Sequence, residues 1–234
     1  MKAIALHTPI FEEKMDLPAF IVRFLPTMAE GTVLAISSKV IALWKGCTVA
    51  YQNQAQKEAL IQAHSQAILK TPLAWLTIKD GMVMTNAGID ESNASGKLIW
   101  LPDCYQCAAE IRMALQRMWK VQKLGILITD SMILPLRAGV IAAAVGYAGF
   151  KGVKDLRGKA DIFGKKLKTT LVDVADSLAT TAALMMGEAD EQCPLCILED
   201  APVVFTDQLN REEIKYPVQD DLYAPLFKAA KLIK

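Results

Sequence analysis

The chain has 234 residues, of which 53% are hydrophobic and 22% charged, with a formal net charge of +1. That balance supplies a sizeable core and excludes a disordered chain. It also offers no basic field for nucleic acid and no polybasic face for an anionic membrane.

A mean hydropathy of +0.25 invites a membrane reading. The most apolar stretches, 124–136 and 140–150, are interrupted by Asp130 and Arg137, whereas a spanning helix needs about 20 apolar residues. The start reaches Glu12-Glu13-Lys14 too soon for the apolar core of a secretory signal. Of the five cysteines, Cys104/Cys107 and Cys193/Cys196 form two C-x-x-C pairs, a spacing open to zinc. Their setting, a helix start and the entry to a buried strand, equally suits buried reduced thiols. The odd cysteine count fits a reducing compartment, and the expected location is cytoplasmic.

In chain order, period-2 and period-3.6 patterns alternate irregularly. Lys2–Leu6 reads as a strand, Leu17–Met28 as a helix and Thr32–Ile36 as a strand. Gln54–Leu69 reads as a helix, followed by strands over Ala74–Ile78 and Met82–Thr85. A helix over Cys104–Val121 precedes strands over Leu124–Thr129 and Val140–Tyr147. Leu171–Met186 carries the clearest helical spacing and stops at Gly187. Strands over Leu195–Leu198 and Val203–Phe205 and a helix over Ala224–Ile233 complete the chain. Without steady βαβ alternation the expected class is α+β, with mixed sheets and packed helices in two intimately joined lobes. Neither a G-x-x-x-x-G-K-[ST] phosphate loop nor a G-x-G-x-x-G turn occurs, so a nucleotide needs another cradle.

Three segments place polar groups at the ends of apolar runs. Asn86-Ala87-Gly88-Ile89-Asp90-Glu91-Ser92-Asn93 offers hard oxygen ligands for Mg²⁺ or Mn²⁺, or an Asn/Gly turn leading to a helix cap. Thr129-Asp130-Ser131 ends a buried strand with an acid and a hydroxyl. Met186-Gly187-Glu188-Ala189-Asp190-Glu191 sets acids after a helix C-terminus, where the dipole disfavours them. A turn-rich basic stretch, Lys151 to Lys166, lies between the second and third. With only His7 and His64 available, a histidine-centred triad is not a candidate.

Taken in order, these segments resemble the coenzyme factor 420:γ-glutamyl ligases. Asn86–Asn93 matches that family's N-A-G-[IV]-D-x-S-N signature at every fixed position. Thr129-Asp130-Ser131, Arg137-x-Gly139, Asp161-Ile162-Phe163-Gly164, Ala175-Asp176 and Met186-Gly187-Glu188 follow in the family's order. The resemblance spans residues 1–200, leaving 201–234 as a C-terminal extension packing on the same domain. It implies a GTP-dependent homodimer with two Mg²⁺ or Mn²⁺ sites, and K⁺ as a further candidate cation. Its reaction joins L-glutamate to a carboxylate through an acyl phosphate. Asp90 and Asp130 would hold one cation, with Ser131 and Glu188 on the second. Thr8, Pro9, Ile10, Phe11, Ser38, Asn93 and the run Met186, Gly187, Glu188, Ala189, Asp190, Glu191, Gln192, Cys193 would line the nucleotide.

The chain departs from the family at Leu43, where Lys is common, and at Ile133-Leu134, where Gly-Arg is usual; the stretch between Leu43 and Asp90 is also short. These positions imply a less cationic acceptor side unless Arg137, Lys151 or Lys154 compensates. A folate-like or other acid acceptor, and a non-catalytic metal- or nucleotide-binding module, are the alternative readings.

Overall fold

The structure, a computed structural model, describes residues 1–233. It opens with strand β1 (Lys2–Leu6), helix α1 (Leu17–Phe24), strand β2 (Thr32–Ser37) and helix α2 (Ser38–Lys45). Next come β3 (Thr48–Ala50), α3 (Gln54–Ala63), β4 (Ala67–Lys70), β5 (Trp75–Lys79), β6 (Met82–Thr85) and β7 (Lys97–Ile99). Helix α4 (Cys104–Trp119) leads into the hairpin of β8 (Leu124–Ile133) and β9 (Val140–Ala148). The chain then runs through β10 (Val153–Asp155), β11 (Leu171–Asp173), α5 (Val174–Met186), β12 (Leu195–Glu199) and α6 (Ala224–Ala229). The class is the expected α+β.

The main sheet has the order β1-β12-β2-β8-β9, with β2 and β8 parallel and the other neighbours antiparallel. Its strands are apolar on both faces because helices cover both. On β2, Leu34 and Ile36 join the core formed with α1, α2 and α4, while Val33 and Ala35 join the core formed with α5. Alternation along a strand thus divides one apolar run between two layers. Two further sheets, β4-β5-β6 and β3-β7, share with α3 a smaller core of Ile61, Trp75, Ile89 and Leu98.

Local signals explain most boundaries. Asp16, Asn53, Asp103 and Asp173 each cap a helix by accepting from a backbone N–H three residues on. α1 ends at Phe24, with Leu25 as its C-cap before Pro26, four residues short of the expected run to Met28. The expected helix over Gln54–Leu69 divides into α3 and β4, since Ala67–Lys70 pairs with β5 instead. The head of the expected Leu171–Met186 helix is likewise taken by β11, paired with β10. Val203–Phe205 forms a single bridge, Phe150 to Phe205, rather than a strand. The expected last helix is shortened to α6.

Residues 201–233 run back over the body. The Arg112 guanidinium pairs with Asp207 at 2.7 Å, and Glu213 accepts from Tyr147 Oη at 3.1 Å and Gly152 N at 3.0 Å. No helix among the described residues is long and apolar enough to cross a membrane.

Candidate active site

Parallel pairing of β2 with β8 sets the site. Ser37 lies opposite Thr129, so Ser38, which opens α2, and Asp130, still paired with β9, stand side by side where the parallel pairing ends. The C-terminal edge of such a pairing is where open sheets with parallel strands place ligands. The Ser38 hydroxyl donates to Asp130 Oδ1 at 2.7 Å. A bulge at Val145 on β9, between the Ile128–Gly146 and Thr129–Ala144 pairs, bends β9 at the level just before the acid.

Asp90 arrives from a different sheet. After β6 the chain makes a turn in which Asn86, Ala87 and Gly88 all have positive φ, 52°, 52° and 69°, a conformation that needs outside support. Trp75 N donates to Asn86 Oδ1 at 2.9 Å, and Ala87 N donates to Thr77 Oγ1 at 2.8 Å. Leu101 packs where a side chain at Gly88 would stand, 2.8 Å from an ideal Cβ. The turn therefore holds Asp90 firmly enough to reach the recess lined by Ser38, Lys39, Gly88 and Asp130. Lys39, on the first turn of α2, places its ammonium 2.7 Å from Asp90 Oδ2.

The two aspartates are tuned in opposite directions. Burial pushes Asp130 up to about 6, the Asp90 charge adding to that rise and the Ser38 bond opposing it. Burial also raises Asp90, but the bonds from Lys39 and Ser92 outweigh it and hold the carboxyl below its usual range. A buried carboxylate beside an ionised one needs positive charge nearby, and Lys39 supplies one.

The other metal candidates meet one strand position further on. Ser131 donates to Glu188 Oε2 at 2.8 Å. Among the described residues no three His, Cys, Asp or Glu side chains gather as one ligand set. The acids stand instead as Asp90 with Asp130, and as Glu188 with Ser131. All these donors are oxygens, a set that suits Mg²⁺ or Mn²⁺ over a soft metal.

The residues expected at a nucleotide surround the same edge. Thr8 is buried and its N–H donates to Gln192 O at 3.0 Å. Pro9 and Ile10 stand exposed, and Phe11 anchors their loop by packing edge-on against Phe20. Asn93 Nδ2 donates to Ala189 O at 3.1 Å, linking the first acidic segment to the third. Met186 is buried at the end of α5, and Gly187 turns the chain with φ 82°. Glu191 folds back onto that turn, its carboxylate accepting from Ala189 N at 2.8 Å, and Cys193 Sγ donates to Glu191 O. Glu188 is thus the one acid of its segment bonded to Ser131, while Asp190 is exposed.

Other candidates lie elsewhere. Arg137 is exposed on the β8–β9 hairpin, Lys151 follows β9, and Lys154 sits on β10 opposite Val172. Leu43 packs at the margin of the larger core. Cys104 and Cys107 face the α4 core and Cys196 the α5 core, across the sheet from them. Sequence reasoning noted Lys39 only as displaced from the family's lysine position at Leu43, without placing it at the site. Its signal was the dipeptide Ser38-Lys39 directly after the strand Thr32–Ser37, the position from which a parallel strand points residues into a site.

Beyond Trp100 and Leu101, which line both spaces, the recess adjoins a cleft of 1110 Å³. Its walls are largely apolar and aromatic, including Met84, Tyr105, Met132 and Phe227. An acidic recess opening beside an apolar cleft, on an α+β body, defines a chain built around a small-molecule site.

The chain belongs to the F420-0:gamma-glutamyl ligase family, whose model matches residues 5–200. It is 42% identical over 143 residues to the coenzyme F420:L-glutamate ligase of Methanococcus maripaludis strain S2, a match covering 61% of this chain and 57% of that relative. It is 30% identical to the ligase of that name from Methanocaldococcus jannaschii, over 95% of this chain and 96% of the relative. The Halobacterium salinarum ligase is 32% identical over 83% of this chain and 75% of its own length.

Proposed function

We propose that this chain is a ligase that adds L-glutamate to the carboxylate of coenzyme F420-0, driven by GTP in the presence of divalent cations. Family membership supports the reaction class. The observation that carries the cation dependence is the meeting of Asp90 and Asp130, forty positions apart, in one recess. Bound there and at Ser131–Glu188, divalent cations would offset the charge that builds up when a carboxylate approaches a γ-phosphate.

The chain's own residues then do the positioning. The acceptor carboxylate takes the γ-phosphoryl group and becomes an acyl phosphate. The glutamate amine attacks its carbonyl, and amide, nucleoside diphosphate and phosphate result. Ser38 holds Asp130 in place, and the Asn86–Gly88 turn holds Asp90. The Asn93–Ala189 and Thr8–Gln192 bonds tie three loops into one rim, suited to a nucleotide in the absence of a phosphate loop. Exposed Leu136, Ile162 and Phe163 support assembly as a homodimer, and five free cysteines fit a cytoplasmic setting.

The test is incubation with F420-0, glutamate and GTP, with and without Mg²⁺ or Mn²⁺, read by mass spectrometry of the product. A metal-dependent gain of glutamate on F420-0 is the expected result. GTP binding without product on F420-0, but with product on a folate-like acid, would move the assignment to that acceptor. Binding with no product on either would identify a non-catalytic module.

A further inference from the structure

Lys79, the last residue of β5, is only 8% exposed. It lies two positions after Thr77, on the strand face that supports the Asn86–Gly88 turn. Its ammonium donates to Leu101 O at 3.3 Å and Ala87 O at 3.4 Å, both longer than usual for such a bond. Among the described residues no carboxylate lies within 4 Å of it. A buried ammonium without a counter-ion is costly. Burial lowers its pKa, with the charges of Asp80 and Asp130 acting in the other direction.

Its position gives that cost a use. Lys79 lines the 1110 Å³ cleft, and its two carbonyl partners belong to Ala87, in the turn that carries Asp90, and Leu101, which lines both spaces. The other cations of the cleft are already matched, Arg211 with Asp103 and Lys215 with Glu212, each at 2.7 Å. Lys79 is therefore the cleft's unsatisfied positive charge, at the end nearest the acidic recess.

We infer that the cleft receives the acyl acceptor, its ring system between the apolar walls, and that Lys79 binds the acceptor's reacting carboxylate beside the Asp90–Asp130 recess. This rests on the ligase reading above. It also answers the scarcity of cations at Leu43 and Leu134: the acceptor's charge is met from β5, rather than by Arg137, Lys151 or Lys154.

The experiment is equilibrium dialysis of F420-0, and separately of GTP, against the wild-type chain, Lys79→Met and Lys79→Arg, with melting temperatures recorded for each. Loss of one charge-assisted bond weakens F420-0 binding by about ten- to a hundredfold in Lys79→Met. GTP affinity should be unchanged, and Lys79→Arg should stay within about threefold of wild type. In steady state the same change appears in the KM for F420-0 rather than for GTP. F420-0 binding to Lys79→Met at wild-type strength overturns the assignment and leaves the ligase reading standing. Equal losses for both ligands, or Lys79→Arg as weak as Lys79→Met, mark a structural lysine and overturn it too. A wild-type chain that binds GTP but no F420-0 defeats the ligase reading, and this inference with it.

Discussion

At the scale of single residues, Asp130 is a half-buried acid whose carboxyl is pushed up to about 6 by desolvation, and its partners are few. Asp130→Asn keeps an oxygen for the Ser38 hydroxyl but removes the charge offered to a cation. Turnover is expected to fall by roughly two to three orders of magnitude, since metal-assisted charge stabilisation is worth several kcal/mol. Raising Mg²⁺ or Mn²⁺ should not restore it. A variant that retains wild-type rate and metal dependence would remove Asp130 from the site.

Asp176 gives a pH prediction of a different kind. It lies in the first turn of α5 and accepts from Ala144 N at 2.8 Å. Burial holds its carboxyl above the ordinary value of 3.8, and the neighbouring Asp173 charge adds to the rise. A group that is more readily protonated when folded contributes stability that is complete below the unfolded pKa. That contribution is lost as pH rises through the elevated folded pKa. Asp176→Asn should therefore match wild type in acid and exceed it at neutral pH, because Asn can still accept from Ala144. Denaturant midpoints measured across that range decide it, and a variant whose advantage grows toward acid would contradict the sign.

At the scale of elements, the close approach of α4 to β9 depends on Gly146. An ideal Cβ there would stand 2.7 Å from Cys104 Cβ and closer still to the Cys104 backbone. Gly146→Ala should push the first turn of α4 off the sheet and cost about 1–3 kcal/mol, visible as a lower denaturation midpoint. Cys104 and Tyr105 line the cleft, so acceptor binding should weaken together with stability.

The same elements show how far the sequence could be read. The long helices α4 and α5 and the strands of the main sheet carry strong periodicity, and caps at Asp103 and Asp173 mark their starts. Where two patterns were compatible, tertiary pairing chose. Leu69 fits the apolar side of α3, yet β5 offered Ala67–Lys70 a ladder and took it. Leu171 fits the apolar stripe of α5, but pairs with Asp155 on β10. Helix α2 went unseen because it begins at Ser38 without a breaker after β2. The acids of the candidate site stood out in the sequence, since Asp90, Asp130 and Glu188 all follow apolar runs or long elements. Its cations did not. Lys39 and Lys79 come to the recess and the cleft through the convergence of β2, β8 and the Asn86–Gly88 turn, and that convergence is a property of sheet order rather than of local spacing.

At the scale of the whole molecule, the apolar surface is uneven. Ile162 is 92% and Phe163 87% exposed on the loop between β10 and β11, and Leu136 is fully exposed at the tip of the β8–β9 hairpin. Large apolar groups carried on projecting segments are costly in water and suit a second copy of the chain. Phe163→Glu should lower the sedimentation coefficient from that of a dimer to that of a monomer, with the melting temperature of the fold changed by only a few degrees. If the wild-type chain sediments as a monomer at micromolar concentration, these residues do not serve self-association.

Under the proposed metal-dependent function, the Lys39–Asp90 pair sets how the protein would behave without metal. The recess holds a resident positive charge of its own, carried on α2 and bonded to Asp90 and Ser92. If the proposed cation binds here, its entry would be an exchange of one counter-ion for another, rather than the filling of a bare acidic hole. Chelation should leave the fold intact and be reversible, because the ammonium returns to neutralise Asp90. The affinity of the recess for the proposed divalent cation would be a difference between two attractions. It is therefore weaker than the acids alone would give, and open to adjustment by anything that draws the Lys39 side chain away, an incoming nucleotide phosphate included.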